Sequence, residues 1–183
     1  LVVLLLLAFL GNLRDALVVA VMLPLSALAT FILMRLFGLS ANLMSLGGLA
    51  IAIGMLVDAA MVVVENVETQ LAEASDRLPL LHLVYRASRE VAAPVASGII
   101  IIIIVFLPLL TLQGLEGKMF APVALTIVFA LAASLLLSLT VVPVLASFVL
   151  RRGRHQEPWL VRRLNRIYAR LLDASLAHGR RLV

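Results

Sequence analysis

Four stretches of this chain are apolar for 18 residues or more, which limits the folds open to it. They are residues 17–34, 43–64, 91–112 and 119–150. A helix needs about 20 residues, at about 1.5 Å each, to cross the hydrocarbon core of a bilayer. There, only helices and closed barrels satisfy every backbone group, so the β-branched run at 97–108 is also expected to be helical. We therefore predict an all-α, polytopic transmembrane helix bundle over residues 1–150.

The composition and the chain ends suggest part of a larger membrane protein. Hydrophobic residues make up 63% and charged residues 14%, against about 45–50% and about 25% in soluble domains. Residues 1–10 form only half a span, and 178–183 resemble the start of another, so we expect a fragment with a truncated first helix. The absence of cysteine excludes disulfides and thiolate metal sites. His82, His155 and His178 lie outside the spans without ligand spacing, and are interpreted as solvent or headgroup residues.

The net charge of +5 is explained by topology. Thirteen of the fifteen lysines and arginines fall in alternate connections, and only Arg35 and Lys118 lie on the other side. The positive-inside rule makes the thirteen-charge side cytoplasmic. The basic excess therefore indicates attraction to lipid headgroups and predicts no nucleic-acid partner. The cytoplasmic connection between the spans at 43–64 and 91–112 is expected to form a short helix after Pro79, because proline is tolerated in a first helical turn.

A basic segment, 151–177, follows the last span and has a helical amphipathic pattern. Apolar or small residues fall on one face and charged residues on the other: Leu160, Leu164, Ile167, Leu171 and Ser175 against Arg162, Arg163, Arg166, Arg170 and Asp173. With Trp159 and Tyr168 as anchors, this pattern predicts a cytoplasmic amphipathic surface helix lying along the headgroups. An ordinary soluble helix packed on a partner domain is the alternative.

Two acids lie on one stripe of the span at 43–64 and its extension. A carboxylate at the bilayer centre costs about 2.5–3.5 kcal/mol, so Asp58 is expected to face a helix bundle and to carry protons. Glu65 lies two turns further on, about 10 Å nearer the cytoplasm. Gly47 and Gly54 share the stripe and are expected to permit close helix packing. The alternatives are a structural polar group for Asp58 and a headgroup-level acid for Glu65. No Lys or Arg lies deep in a span, so an ionised Asp58 needs a counter-charge from elsewhere.

Four segments together resemble a known family. GNLRDALVVAVMLPLSALATF, GGLAIAIGMLVDAAMVVVENV, VFLPLLTLQGLEGKMFAPVALT and LTVVPVLASF resemble, in this order, the first-half transmembrane block of resistance-nodulation-division (RND) efflux pumps. The five spans would then be the second to sixth of twelve. Multidrug members typically have two adjacent aspartates where this chain has Asp58 and Ala59. That difference, with LEGKMF in the outer loop, resembles the heavy-metal efflux branch of the CusA/CzcA type.

The resemblance implies a transporter without cofactors rather than an enzyme. It implies a homotrimeric inner-membrane antiporter that exchanges protons for metal cations and works with a periplasmic adaptor and an outer-membrane channel. Asp58 matches the family's proton-relay aspartate, paired with a lysine of the second half, and Glu65 matches another acid of that motif. A multidrug RND pump and a non-transporting membrane scaffold or receptor domain are the alternatives.

The identity of the metal stays open between Cu/Ag and Zn/Co/Cd. Ala52 stands where divalent-cation members often have another acid, which slightly favours copper or silver. Met44 and Met55 are nearly in line on one helix, and their thioethers would suit Cu(I). Packing is the more ordinary role of methionine in such a helix.

Overall fold

The computed structural model describes residues 13–73 and 78–150, with residues 163, 167–169 and 172 beyond them. Its long helices are α1 (Leu13–Leu36), α2 (Leu43–Glu73), α3 (Leu80–Phe106) and α4 (Gly114–Val149). A 3-10 helix, Leu107–Thr111, follows α3. All four long helices are apolar enough and long enough to cross a membrane. This confirms the all-α transmembrane prediction for the part of the chain that the structure describes.

Two predicted regions lie outside the described residues. They are the truncated first span at 1–10 and the start of a further span at 178–183. In the predicted surface helix, only residues 163, 167–169 and 172 are described; they are helical and exposed. The interfacial position of that helix stays a prediction.

Short connections join the four helices into an alternating bundle. Gly38, with a φ of 70°, makes the turn after α1, a conformation that glycine adopts without a steric penalty. Asn42 then caps α2, because its Oδ1 accepts a hydrogen bond from the Ser45 N–H at 2.9 Å and the Ser45 Oγ accepts one from the Asn42 N–H at 2.9 Å. One apolar cluster joins the start of α1, the end of α2, the start of α3 and the end of α4. We call this end of the bundle, which contains Arg14, Arg86 and Arg89, the basic end.

The predicted short helix after Pro79 is not separate from the span that follows. α3 runs without a break from Leu80 to Phe106, because residues 80–93 contain neither glycine nor proline. Its first turns bury Leu83, Val84 and Ala87 against the apolar cluster at the basic end. The Asn66 Nδ2 also donates a hydrogen bond to the Ala87 carbonyl at 2.8 Å. These contacts fix the start of α3 against α2.

The helix α4 lies at the centre of the bundle and contacts all three others. Its buried ridge repeats every four residues and is made mainly of small side chains: Thr126, Ala130, Ser134, Ser138, Val142 and Ala146. Small residues let membrane helices approach closely. The Ser134 Oγ donates a hydrogen bond to the Leu56 carbonyl of α2 at 2.9 Å. The interface between α2 and α4 is the most extensive in the bundle, and it sets the orientation of α2.

Candidate functional site

Asp58 lies at the middle of α2, fifteen residues from each end of the 31-residue helix. Glu65 follows two turns later, about 10 Å nearer the basic end. Both acids are exposed in the described bundle. The two acids therefore share one face of α2, as predicted, and the groups around that face determine their chemistry.

The face that carries the two acids is covered by no described helix. We call it the Asp58 face, and its members are all exposed: Gly47, Ile51, Gly54, Asp58, Val62 and Glu65. The opposite side of α2 is the one buried in the bundle, through Ala52, Leu56, Ala59 and Val63. Within the described helices Asp58 points away from the bundle, and the expectation that it faces a helix bundle stays a prediction for the full-length protein. The apolar side of α2 packs against α4, and the two acids are exposed on the other side.

Gly47 and Gly54 make no close helix contact among the described helices, and their role in helix packing stays a prediction. A Cβ built on either glycine meets no atom within 4 Å. On Gly48 it would lie 2.7 Å from the carbonyl oxygen of Val123 and 3.1 Å from its Cα. Gly48 is thus the glycine at which α2 approaches α4, because it points to the buried side of the helix. Gly47 and Gly54 are left as small residues on an open face.

Neither carboxylate has a described partner. Within residues 13–73 and 78–150, Asp58 and Glu65 form no side-chain hydrogen bond or ion pair. Arg35 and Lys118 lie at the opposite end of the bundle, and both are exposed. A carboxylate at this depth would cost about 2.5–3.5 kcal/mol against lipid. The Asp58 face therefore requires cover from protein that supplies a counter-charge, or a proton on the acid.

The two candidate metal-contacting methionines are far apart. Met44 is exposed near the start of α2, and Met55 packs against the apolar cluster formed with Leu49, Ile99 and Ile127. Eleven helical residues separate their positions by about 16 Å, so they cannot hold one ion together. Among the described residues, no group of three or more His, Cys, Asp or Glu could hold a metal ion. The packing of Met55 explains that residue without a metal.

Two acids that the sequence analysis did not single out are buried at the basic end. Asp15 is 2% exposed and Glu68 is 8% exposed. Glu68 has an interaction partner, whereas the Oδ2 of Asp15 is buried with no hydrogen-bond partner in the described structure. Asp15 lies in the first turn of α1, where the helix dipole stabilises an acid by about 0.3–1 kcal/mol. An unsatisfied buried oxygen costs about 1–3 kcal/mol, so among the described residues the cost of burying Asp15 exceeds its stabilisation by the helix dipole.

Replacing Asp15 with alanine should therefore stabilise the protein. We expect Asp15→Ala to raise the free energy of unfolding by about 1 kcal/mol, because the unsatisfied oxygen outweighs the dipole interaction. Asp15→Asn is the matched control and should gain less, since its amide stays buried and polar. The thermal midpoint of each purified variant measures this. A lower midpoint for Asp15→Ala would show that Asp15 has a stabilising partner in the full-length protein.

Comparison with known proteins confirms the resemblance found in the sequence. The AcrB/AcrD/AcrF family matches residues 1–183. The chain is 44% identical to protein HelA of Legionella pneumophila, over 100% of this chain and 18% of that protein. It is 42% identical to the cobalt-zinc-cadmium resistance protein CzcA of Cupriavidus metallidurans, over 97% of this chain and 17% of that protein. The X-ray crystal structure of a heavy metal efflux pump aligns with a TM-score of 0.67 and 42% identity, over 81% of this chain and 14% of that one. The chain thus spans less than a fifth of the length of these relatives.

Proposed function

The chain belongs to the AcrB/AcrD/AcrF family, and we propose on this basis that its full-length protein is a proton-driven efflux transporter. It exports heavy-metal cations by metal/proton antiport and is not an enzyme. The similarity to a cobalt-zinc-cadmium resistance protein and to the structure of a heavy metal efflux pump supports the metal substrate. The fragment supplies transmembrane helices for this process, and the metal site belongs to protein beyond them.

The position of Asp58 is the observation that carries the proposal. Asp58 lies in the middle of a membrane-long helix, on a face that the four packed helices leave open, and it forms no side-chain hydrogen bond or ion pair among the described residues. Intramembrane acids of this kind mark proton and ion pathways. Asp58 takes up a proton from one side and releases it to the other, and a lysine of the second half is its counter-charge. Glu65 passes protons between Asp58 and the cytoplasmic surface.

The small residues of the Asp58 face support this arrangement. Gly47 and Gly54 leave space for a helix to approach close to Asp58. A change in the charge of Asp58 then alters its attraction to the counter-charge and shifts one half of the membrane domain against the other. Each proton that moves inward contributes about 2.3 kcal/mol per 100 mV of membrane potential.

The family resemblance also supports a proposal for the assembly. The full-length protein is a homotrimer in the inner membrane of a Gram-negative cell, coupled to a periplasmic adaptor and an outer-membrane channel. The basic end of the bundle faces the cytoplasm, because thirteen of the fifteen lysines and arginines fall in the connections of that side of the sequence. Copper or silver and zinc, cobalt or cadmium are both compatible with the described helices.

Metal survival tests the function directly. Cells without their own metal pumps would express the full-length protein and be exposed to copper, silver, zinc, cobalt, cadmium and a cationic dye. We expect protection against at least one metal and none against the dye. Protection against the dye alone would assign the protein to multidrug efflux. No protection at normal membrane expression would favour a scaffold without transport activity.

A further inference from the structure

The first three turns of α3 carry an open pocket with basic character at the basic end of the bundle. His82, Tyr85, Arg86, Arg89 and Glu90 line it, and all five are exposed. Their spacing places them on one face of the helix, opposite the buried residues Leu83, Val84 and Ala87. The pocket therefore lies on the outside of the bundle.

This face of α3 continues as an apolar surface through the membrane-spanning part. Ile100 and Ile104 follow His82 and Arg86 by 18 residues each, which is five helical turns and returns to the same side of the helix. Ile100 is 49% exposed and Ile104 is 56% exposed. Only 6% of the apolar part of α3 is buried in the bundle. A continuous stripe thus leads from the basic pocket into the hydrocarbon region.

The composition of the stripe separates it from the Asp58 face. The exposed face of α2 has small and acidic residues, such as Gly47, Gly54 and Asp58, which are typical of contacts between membrane helices. On the exposed face of α3, Ala93 and Ser97 follow the pocket, and the exposed residues from Ile100 to Val105 are large and β-branched. No ionisable group lies between Val91 and Thr111. Lipid tails solvate such a surface without cost. The α3 stripe therefore faces lipid.

The charges of the pocket suit an anionic headgroup. Arg86 and Arg89 can each bind a phosphate through two parallel hydrogen bonds. The acid in the pocket, Glu90, accepts a hydrogen bond at its Oε2 from the Gln70 Nε2 of α2 at 2.9 Å, which holds it on the α2 side. Tyr85 is 62% exposed, and an amphipathic ring of this kind is favoured at headgroup level.

We propose that His82, Arg86 and Arg89 form a binding site for an anionic phospholipid, with one acyl chain lying along Ile100 and Ile104. Arg89 and Ile100 are eleven residues apart, or about 16 Å along the axis, close to the thickness of one leaflet of the hydrocarbon core, about 15 Å. The phosphate binds the guanidinium groups, and Tyr85 packs beside the glycerol region. The site does not depend on metal export, and it fixes the depth of α3 in the membrane.

Native mass spectrometry of the full-length protein with bound phosphatidylglycerol tests the site. Arg86→Gln combined with Arg89→Gln should weaken phosphatidylglycerol binding about 30-fold, from about fivefold for each arginine near an anionic surface. Phosphatidylethanolamine, which has no net charge, should bind weakly to both proteins. Inorganic phosphate at millimolar concentration should not displace the lipid, because it lacks the acyl contact.

The matched control is Arg14→Gln, which removes an exposed arginine of the basic end outside the pocket. It should leave binding within about twofold of the wild type, whereas Arg89→Gln alone should lower it about fivefold. Equal losses for the two single variants would overturn the proposal, because a general surface charge would then explain the binding. Displacement by inorganic phosphate would also overturn it, by showing a free-anion site.

Discussion

Asp58→Asn should abolish metal resistance in the full-length protein and reduce survival to that of cells without the pump. The asparagine has nearly the shape of the aspartate, but it cannot carry a proton or attract a counter-charge. Each coupled proton contributes about 2.3 kcal/mol per 100 mV, and a variant that carries no proton loses this contribution. Proteoliposomes that contain the variant should therefore show no metal-dependent proton flux and no proton-driven metal gradient.

Two matched variants distinguish proton carriage from damage to the helix. Val62 is exposed on the same face one turn away, so Val62→Asn adds an amide to that face without touching Asp58. It should retain most transport if the loss in Asp58→Asn is specific to the acid. Glu65→Gln should reduce the transport rate less than Asp58→Asn, because Glu65 lies about 10 Å nearer the membrane surface. Normal proton-coupled transport by Asp58→Asn, at equal membrane expression, would remove Asp58 from the mechanism.

Helix positions were predictable from the sequence because the bilayer sets their length. The expected spans at 17–34 and 43–64 lie within α1 and α2, and the spacing of Asp58 and Glu65 correctly placed them on one face. Periodicity gives the relative angle between residues on one helix, and that angle does not depend on the neighbours. The same stripe therefore appeared in the structure with Gly47 and Gly54 on it.

The sequence did not predict in the same way which face of a helix packs against which neighbouring helix. The stripe predicted close packing at Gly47 and Gly54, whereas the glycine that meets the ridge on α4 is Gly48. The ridge itself was predictable from the sequence, because mainly small residues recur every four positions from Thr126 to Ala146. The burial of Asp15 had no such signal, since an acid in a first helical turn is ordinarily exposed and favourable there. The four described helices also leave the Asp58 face open.

Substitution of Gly48 should lower the stability of the bundle at the contact between α2 and α4. The Cβ of Gly48→Ala would lie 2.7 Å from the Val123 carbonyl oxygen and 3.3 Å from the Thr126 Cβ. Because the closest atoms belong to the backbone of α4, the two helices must move apart. Overpacking of this kind costs about 1–3 kcal/mol, and Gly48→Val should cost more because it adds two further methyl groups. This is a substantial part of a total stability of about 5–15 kcal/mol, so we expect Gly48→Val to lower the thermal midpoint and the yield of folded protein.

Substitution of Gly98 in α3 should have the opposite effect on stability. It lies inside a helix, and a Cβ there meets no atom within 4 Å, so Gly98→Ala should stabilise the protein by about 1 kcal/mol through helix propensity. The variants are compared by their thermal midpoints and by the yield of monodisperse full-length protein.

Gly54→Ala tests whether another helix covers the Asp58 face, because its Cβ meets no atom of the described helices within 4 Å. A stable Gly54→Ala protein with reduced transport would indicate that another helix packs closely beside Asp58, whereas a stable Gly48→Val protein would contradict the tight contact between α2 and α4.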